Sequence, residues 1–512
     1  GQPDQGIIEP DADDRRFKSD AWDDGHVFDF IKQSYLLASR YVMAAADSVS
    51  GVDDKKRDQI NFYTRQFVDA MAPTNFALTN PDVLKKTMDS KGENLVRGFQ
   101  NILTDLERGE GQLKTRMVDT DAFELGRNLA LTPGKVVLQN DLIQLIQYEP
   151  TTKAVSRTPL LVIPPWINKY YILDLRPENS FIRWLVAQGH TVFVISWVNP
   201  GSELAEKGFE DYLLEGPLTA LNAIKEITGT AHSNVIGYCL GGTLLAGLLA
   251  YLKATGAADR VASATFLTTM IDFEEPGDLG VFIDDDQIES LEQKMSRDGY
   301  LDGTDMATTF NMLRSNDLIW SFVINNYLMG DEPLAFDLLY WNSDSTRMPA
   351  KMHSEYLRTM YLENRFKESG GMVLDGVAID IPSVDTPCYF LSTQEDHIAP
   401  WRSTFAGASL LKGPIRFVLS GSGHIAGVVN PPESNKYGYR THRRRPKGDA
   451  DAWFESATRK EGSWWPDWQQ WVSKFSGTKV KPRKPGMKKA FPLLEEAPGA
   501  FAAKRLDETE SG

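Results

Sequence analysis

Hydrophobic and polar positions change rhythm along the 512-residue chain. Up to about residue 145 apolar residues recur at helical spacing without strong strand alternation; Ile60 to Met71 predicts an amphipathic helix, and Pro81-Asp82 a helix start. From about Leu142 short β-branched or aromatic runs appear: Leu160-Ile163, Thr191-Trp197, Asn234-Ile236, Ala262-Thr268, Cys388-Ser392 and Ile415-Leu419. Helical stretches such as Phe181-Gln188 and Pro217-Thr228 separate several of them, which predicts an α/β fold with a mostly parallel sheet covered on both faces. From Asp272 to about Asp385 the rhythm breaks into aromatics and amides, as in Trp320 to Tyr327, predicting a helical insertion that caps the sheet's active edge. After Gly477 the chain is basic and proline-containing, with Lys479, Lys481, Arg483, Lys484, Lys488 and Lys489, and reads as a mobile or surface-draped tail. The expected parts are therefore a mainly helical domain over 1–145, a catalytic domain over 146–477 with an insertion at about 272–385, and a tail over 478–512.

Composition narrows the classes. Hydrophobic residues make up 42% and charged residues 24%, a globular balance. A net charge of -15 argues against a nucleic-acid-binding body and leaves an anionic substrate dependent on a local basic patch. The two cysteines, Cys239 and Cys388, form no metal or disulfide pattern and fit a reducing, cytoplasmic setting. Gly1 to Asp14 lack the basic start and apolar run of a secretory signal, and the absent initiator Met points to further sequence upstream. Val235 to Leu252 carries no charge for 18 residues, but its glycines split it into a buried strand, a turn and a helix rather than a membrane span.

That turn holds the chemistry. Gly237-Tyr-Cys239-Leu-Gly241 matches the nucleophile elbow G-x-S-x-G with cysteine in place of serine. Small residues beside the nucleophile let strand and helix approach closely, and the helix N-terminus favours a thiolate at Cys239. Partners follow in the order nucleophile, acid, base: Asp396 on the loop after Cys388-Ser392, then His424 in the glycine-rich loop after Ile415-Leu419. In this α/β-hydrolase layout His424 accepts the proton of Cys239 and Asp396 orients the ring. His397 is the rival base and Asp272 the rival acid; Cys388 and the remaining histidines, His26, His190, His232, His353 and His442, read as core or surface residues. Backbone N–H groups of Leu240 and Ile167, the latter in the loop Pro164 to Lys169, are the expected oxyanion donors.

Cysteine favours a thioester over an amide, because attacking and leaving sulfur have similar basicity. Residue chemistry thus reaches acyl transfer through an acyl-cysteine and leaves the acceptor open between water and an alcohol. The segments Pro164 to Leu175, Ser196 to Pro200, Gly237 to Thr243, Phe336 to Ser343 and Gly462 to Trp468, with Arg15-Arg16-Phe17 and Ala21-Trp22, resemble polyhydroxyalkanoate synthases over essentially the whole chain. Tyr238 and Thr243 in the elbow resemble the single-subunit class that prefers short-chain monomers.

The resemblance implies that Cys239 is acylated, that His424 is the base, and that Asp396 assists deprotonation of the 3-hydroxyl that extends the chain. It also implies (R)-3-hydroxyacyl-CoA as substrate, typically 3-hydroxybutyryl-CoA, with release of CoA and growth of a polyester. A homodimer on intracellular polymer granules, and no metal or redox cofactor, belong to the same implication. Arg443, Arg444, Arg445 and Lys447 are candidates for the CoA phosphates, with a solvated charge run as the plainer reading. Two other readings remain: a thioesterase or carboxylic-ester hydrolase with the same three residues, and a silent granule coat using the tryptophans Trp464, Trp465, Trp468 and Trp471.

Overall fold

Short, β-branched apolar runs suit interior strands, and the computed structural model puts them in one sheet. It describes residues 8–11, 14–487 and 489–505; the tail's Lys488 and the chain ends lie outside the described residues. The chain divides into two compact units, one of residues up to 122 with 307–343, the other of 123–306 with 344 onward.

The larger unit is built on an eleven-stranded sheet. Its strands are β1 (Gly134–Gln139), β2 (Ile143–Tyr148), β3 (Leu160–Ile163), β4 (Val192–Trp197), β5 (Ser233–Tyr238), β6 (Val261–Leu267), β7 (Cys388–Thr393), β8 (Ile415–Ser420), β9 (Tyr439–Thr441), β10 (Thr458–Lys460) and β11 (Glu495–Glu496). Their spatial order is β10-β9-β8-β7-β6-β5-β3-β4-β2-β1-β11. From β8 through β4 every pairing is parallel, and antiparallel strands flank that block on both sides. The chain leaves β3 for β4 on one side and returns to β5 on the other, so the carboxyl ends of β3 and β5 bound a topological switch point. Helices Phe181–Ala187, Thr219–Thr228, Leu240–Ala254 and Trp401–Leu410 cover the sheet. The uncharged run Val235 to Leu252 is the end of β5 followed by most of Leu240–Ala254, and among the described residues no helix is long and apolar enough to cross a membrane.

The expected limits shift in three places. The sheet starts at Gly134, ahead of the expected 145, because β1 opens on Gly134-Lys135 and glutamines interrupt the apolar run of β2. The tail is stitched to the sheet instead of draped. Lys479–Val480 pairs with Val155–Ser156, and the Arg483 guanidinium donates to the carbonyls of Ser156 and Arg157. The buried side chains of Gln144 and Gln147 accept from the N–H groups of Phe501 and Gly486 at 3.2 and 2.9 Å. Finally, the insertion is divided between the units.

The smaller unit contains helices α1 (His26–Asp47), α2 (Asp54–Ala70), α3 (Pro81–Asp89) and α4 (Glu93–Arg108) together with 307–343 of the insertion. The amides that set 320–327 apart bind α4: Asn94 and Asn101 donate to the carbonyls of Leu328 and Asn326 at 2.8 and 2.9 Å, and the Tyr327 hydroxyl donates to Asp105 at 2.8 Å. A Cβ on Gly98 would lie 1.9 Å from the Tyr327 carbonyl oxygen, so this close approach requires glycine.

Candidate active site

Cys239 lies between β5 and the helix Leu240–Ala254, here α5, with φ 51° and ψ -120°. Three glycines permit the turn. A Cβ on Gly237 would lie 2.5 Å from Gly242 Cα, one on Gly241 2.1 Å from the Ile163 carbonyl oxygen, and one on Gly242 2.0 Å from Thr269 Oγ1. Cys239 N–H donates to the Leu267 carbonyl at 2.9 Å, tying the nucleophile position to the end of β6.

Parallel pairing continues past β7 and β8 into the loops that follow them. Gln394 and Glu395 N–H donate to the carbonyls of Ser420 and Ser422, each at 2.9 Å, which draws the two loops together. Asp396 and His424 consequently meet, with 2.8 Å between Nδ1 and Oδ2. The Asp396 side chain is fully buried. Its Oδ1 accepts from the N–H groups of Ile398 and Ala399, both at 2.9 Å, and its Oδ2 also accepts from Thr393 Oγ1 at 3.1 Å. Burial pushes its pKa up, but His424 and the two backbone donors outweigh burial and hold it below the usual carboxylate range. Burial likewise opposes charge on His424; Asp396 and Cys239 prevail and raise the ring to about 10. The Tyr238 ring stacks on the imidazole, with centroids 5.7 Å apart.

The rival groups are engaged elsewhere. Asp272 accepts from Asn364 and Lys367, each at 2.9 Å. Cys388 is buried, its thiol pushed up by burial and its Sγ directed at the Thr386 carbonyl. His190 and His353 are buried, and burial lowers both to about 4. Asp396 has His424, not the neighbouring His397, on its Oδ2. Leu240 opens α5, where an N–H lacks a helical acceptor. Ile167 follows β3, which pairs with β5, and packs with Cys239 against the same core.

The basic run follows the plainer reading, with Arg443, Arg444, Arg445 and Lys447 exposed. Because β9 runs antiparallel to β8, the chain after Thr441 heads for the amino end of the parallel strands, whereas Cys239 sits at their carboxyl ends. Arg445 donates there to the carbonyls of Lys412 and Ser409 at 2.8 and 3.2 Å. The candidate CoA-phosphate residues are therefore at the wrong edge of the sheet. The tryptophans proposed for a coat are also internal: Trp464, Trp465 and Trp468 are buried and pack around Phe181.

Sequence reasoning missed an aromatic cluster whose two tyrosines lie within electrostatic reach of Cys239. Phe273, Tyr356 and Tyr361 form a cluster with centroids 4.9 to 6.1 Å apart; burial raises both tyrosine hydroxyls, Tyr361 raises Tyr356 further, and Cys239 adds to both. No motif marks them, because the two tyrosines come from a helical stretch more than a hundred residues beyond the elbow.

Comparisons with known proteins identify the family. The model described as "Poly-beta-hydroxybutyrate polymerase (PhaC) N-terminus" matches residues 13–185, and the α/β-hydrolase fold model matches 159–431. A poly(3-hydroxyalkanoate) polymerase subunit of Rhizobium meliloti is 51% identical, covering 96% of this chain and 80% of the relative. The chain belongs to the poly(3-hydroxyalkanoate) polymerase family. A polymerase of Methylorubrum extorquens (50% identical; 97% of this chain, 81% of the relative) and a polymerase subunit of Cupriavidus necator (42%; 95% and 82%) extend the match. Membership in this acyltransferase family fits a cysteine elbow, since polyester synthesis from thioesters needs a group that holds each acyl unit between transfers.

Proposed function

We propose that the chain polymerises (R)-3-hydroxyacyl-CoA, with 3-hydroxybutyryl-CoA its principal monomer, through an acyl-cysteine at Cys239. The observation that carries this reading is the buried Asp396–His424 pair whose ring is coupled to Cys239 at a strained elbow. The Cys239 thiolate adds to the thioester carbonyl, with the oxyanion taken by the N–H groups of Leu240 and Ile167. Collapse breaks the C–S bond to CoA, which leaves as thiol with the His424 proton. Acylation removes the thiolate charge, one of the influences holding the ring at about 10, so His424 becomes a neutral base. It then takes the proton of a chain-end or monomer 3-hydroxyl; the alkoxide attacks the acyl carbonyl, and Cys239 leaves as thiolate beside a regenerated imidazolium.

Asp396 acts in this scheme through His424, since both its oxygens are engaged within the protein. The apolar wall of Phe273, Tyr356 and Tyr361 favours the alcohol over water as acceptor by excluding solvent. Homodimer formation and attachment to polymer granules in the cytoplasm complete the reading. Exposed apolar positions on α1 (Val27, Phe30, Leu37, Tyr41) and α4 (Val96, Phe99, Leu103) support pairing with a second copy.

One assay tests the whole reading. With 3-hydroxybutyryl-CoA, free thiol and an insoluble polyester are expected. Thiol accompanied only by monomeric hydroxy acid would make the chain a thioesterase, and no thiol release would make it a coat protein.

A further inference from the structure

Segment 344–347, where the chain re-enters the larger unit within the insertion, runs along the loop that carries Ile167. Lys169 and Asp344 form an ion pair at 2.8 Å, with side chains only 3% and 1% exposed. The Tyr171 hydroxyl donates to Asp344 Oδ2 at 2.8 Å, and Asn168 and Ser345 form an antiparallel bridge. The buried Thr346 hydroxyl donates to the Trp166 carbonyl at 2.7 Å. Arg347 N–H donates to Asn199 Oδ1 at 2.9 Å, closing the strap on the loop after β4.

We infer that Thr346 is a positioning residue for the oxyanion donor, and that Lys169 and Asp344 anchor the strap that presents it. The carbonyl of Trp166 and the N–H of Ile167 are opposite ends of one planar trans peptide, so fixing the first aims the second. The same hydrogen bond withdraws electron density through the peptide and makes its N–H a stronger donor. Without the Thr346 hydroxyl the peptide can rotate about its flanking dihedrals, and the N–H loses its aim where negative charge develops. The role is expressed in the transition state, because a ground-state carbonyl depends far less on the donor's orientation. This inference rests on the acyl-cysteine reading above and names what aligns its second oxyanion donor.

Thr346→Val keeps the shape and removes the donor, and Thr346→Ser restores it. Single-turnover acylation by 3-hydroxybutyryl-CoA is followed by thiol release and by mass spectrometry of the intact chain. The valine variant should acylate about tenfold more slowly, less than the roughly 10²–10³-fold cost of losing an oxyanion donor outright. Its KM should be unchanged, and serine should recover most of the rate. Asp344→Asn, similar in size but uncharged, loosens the same peptide independently and should lower the acylation rate with the same unchanged KM. Wild-type acylation rates in both Thr346→Val and Asp344→Asn, with Cys239→Ala inactive, would overturn the positioning role alone. So would a fall in rate that comes with a lower melting temperature and higher KM and is not restored by serine. Thiol release that survives in Cys239→Ala would instead overturn the acyl-cysteine reading itself.

Discussion

The φ of 51° at Cys239 is a conformation that side-chain-bearing residues adopt at a cost of order 1–3 kcal/mol. It projects the sulfur from the end of a buried strand, where Cys388 cannot substitute because it lies inside β7. Cys239→Ala should therefore abolish thiol release, and Cys239→Ser should slow it by about 10²-fold or more, because a hydroxyl is a weak nucleophile at its ordinary acidity. Residual release in the alanine variant above about 1% of wild type would move the chemistry elsewhere. His424 offers a pH test. Its folded value of about 10 exceeds its unfolded value near 6.5, so its stabilisation is complete below about 6.5 and is lost as pH rises through 10. The melting temperature of the wild type should accordingly fall more between pH 7 and 10 than that of His424→Gln; parallel curves in calorimetry would contradict the raised value. Asp396→Asn separates the two chemical steps. Once an acyl unit occupies Cys239, Asp396 is the charged partner that keeps the ring basic. The variant should form a Cys239 adduct yet fail to extend it, so trapped protein should carry one acyl unit by mass spectrometry. Equal loss of both steps would assign Asp396 to orientation alone.

Elements divide by how their burial is achieved. Strands β3 through β8 were legible because each is a short apolar run buried on both faces, and the loops holding Asp396 and His424 follow directly from their ends. The elbow was legible for the same reason, its glycines standing between a strand and an apolar helix. β1, β2 and the tail were not, since glutamine side chains and backbone bonds join them where an apolar pattern would have been readable. The split insertion escaped because its allegiance to α4 is written in amides, whose partners cannot be named from one sequence. Thr346 escaped too: a lone threonine carries no signal until the carbonyl it meets is known. At the elbow the demand for glycine is quantitative. An alanine at position 241 would bring a Cβ within 2.1 Å of the backbone oxygen of Ile163 and 2.7 Å of that of Pro164, so β3 and α5 would have to separate. Gly241→Ala should lower the melting temperature by several degrees, equivalent to roughly 1–3 kcal/mol of overpacking, and reduce thiol release by at least tenfold. Wild-type values of both would mean that the interface yields more easily than its geometry indicates.

For the whole molecule, the unit that carries the exposed apolar faces of α1 and α4 also contains 307–343 of the insertion, joined by the Asn101 and Asp105 bonds to Asn326 and Tyr327. A second copy seated on those faces would restrain 307–343, and the chain leaves that stretch at Ser343 to enter the strap at Asp344. If the chain pairs on those faces, chain continuity would link that pairing to the peptide between Trp166 and Ile167. A polymerising site also has to exclude water, present at about 55 M, while an alcohol held at high effective concentration attacks the acyl-cysteine. Both requirements favour a site completed by pairing, so activity per chain should rise with protein concentration and level off as the dimer saturates. Sedimentation velocity and initial thiol release, measured over one dilution series, would follow the two quantities together. Their midpoints should coincide, and substituting Phe30 and Phe99 by glutamate should move both to higher concentration, since burying either charge in an apolar interface is costly. A monomer with the full specific activity of the concentrated protein would break the link while leaving the roles of Cys239, Asp396 and His424 intact.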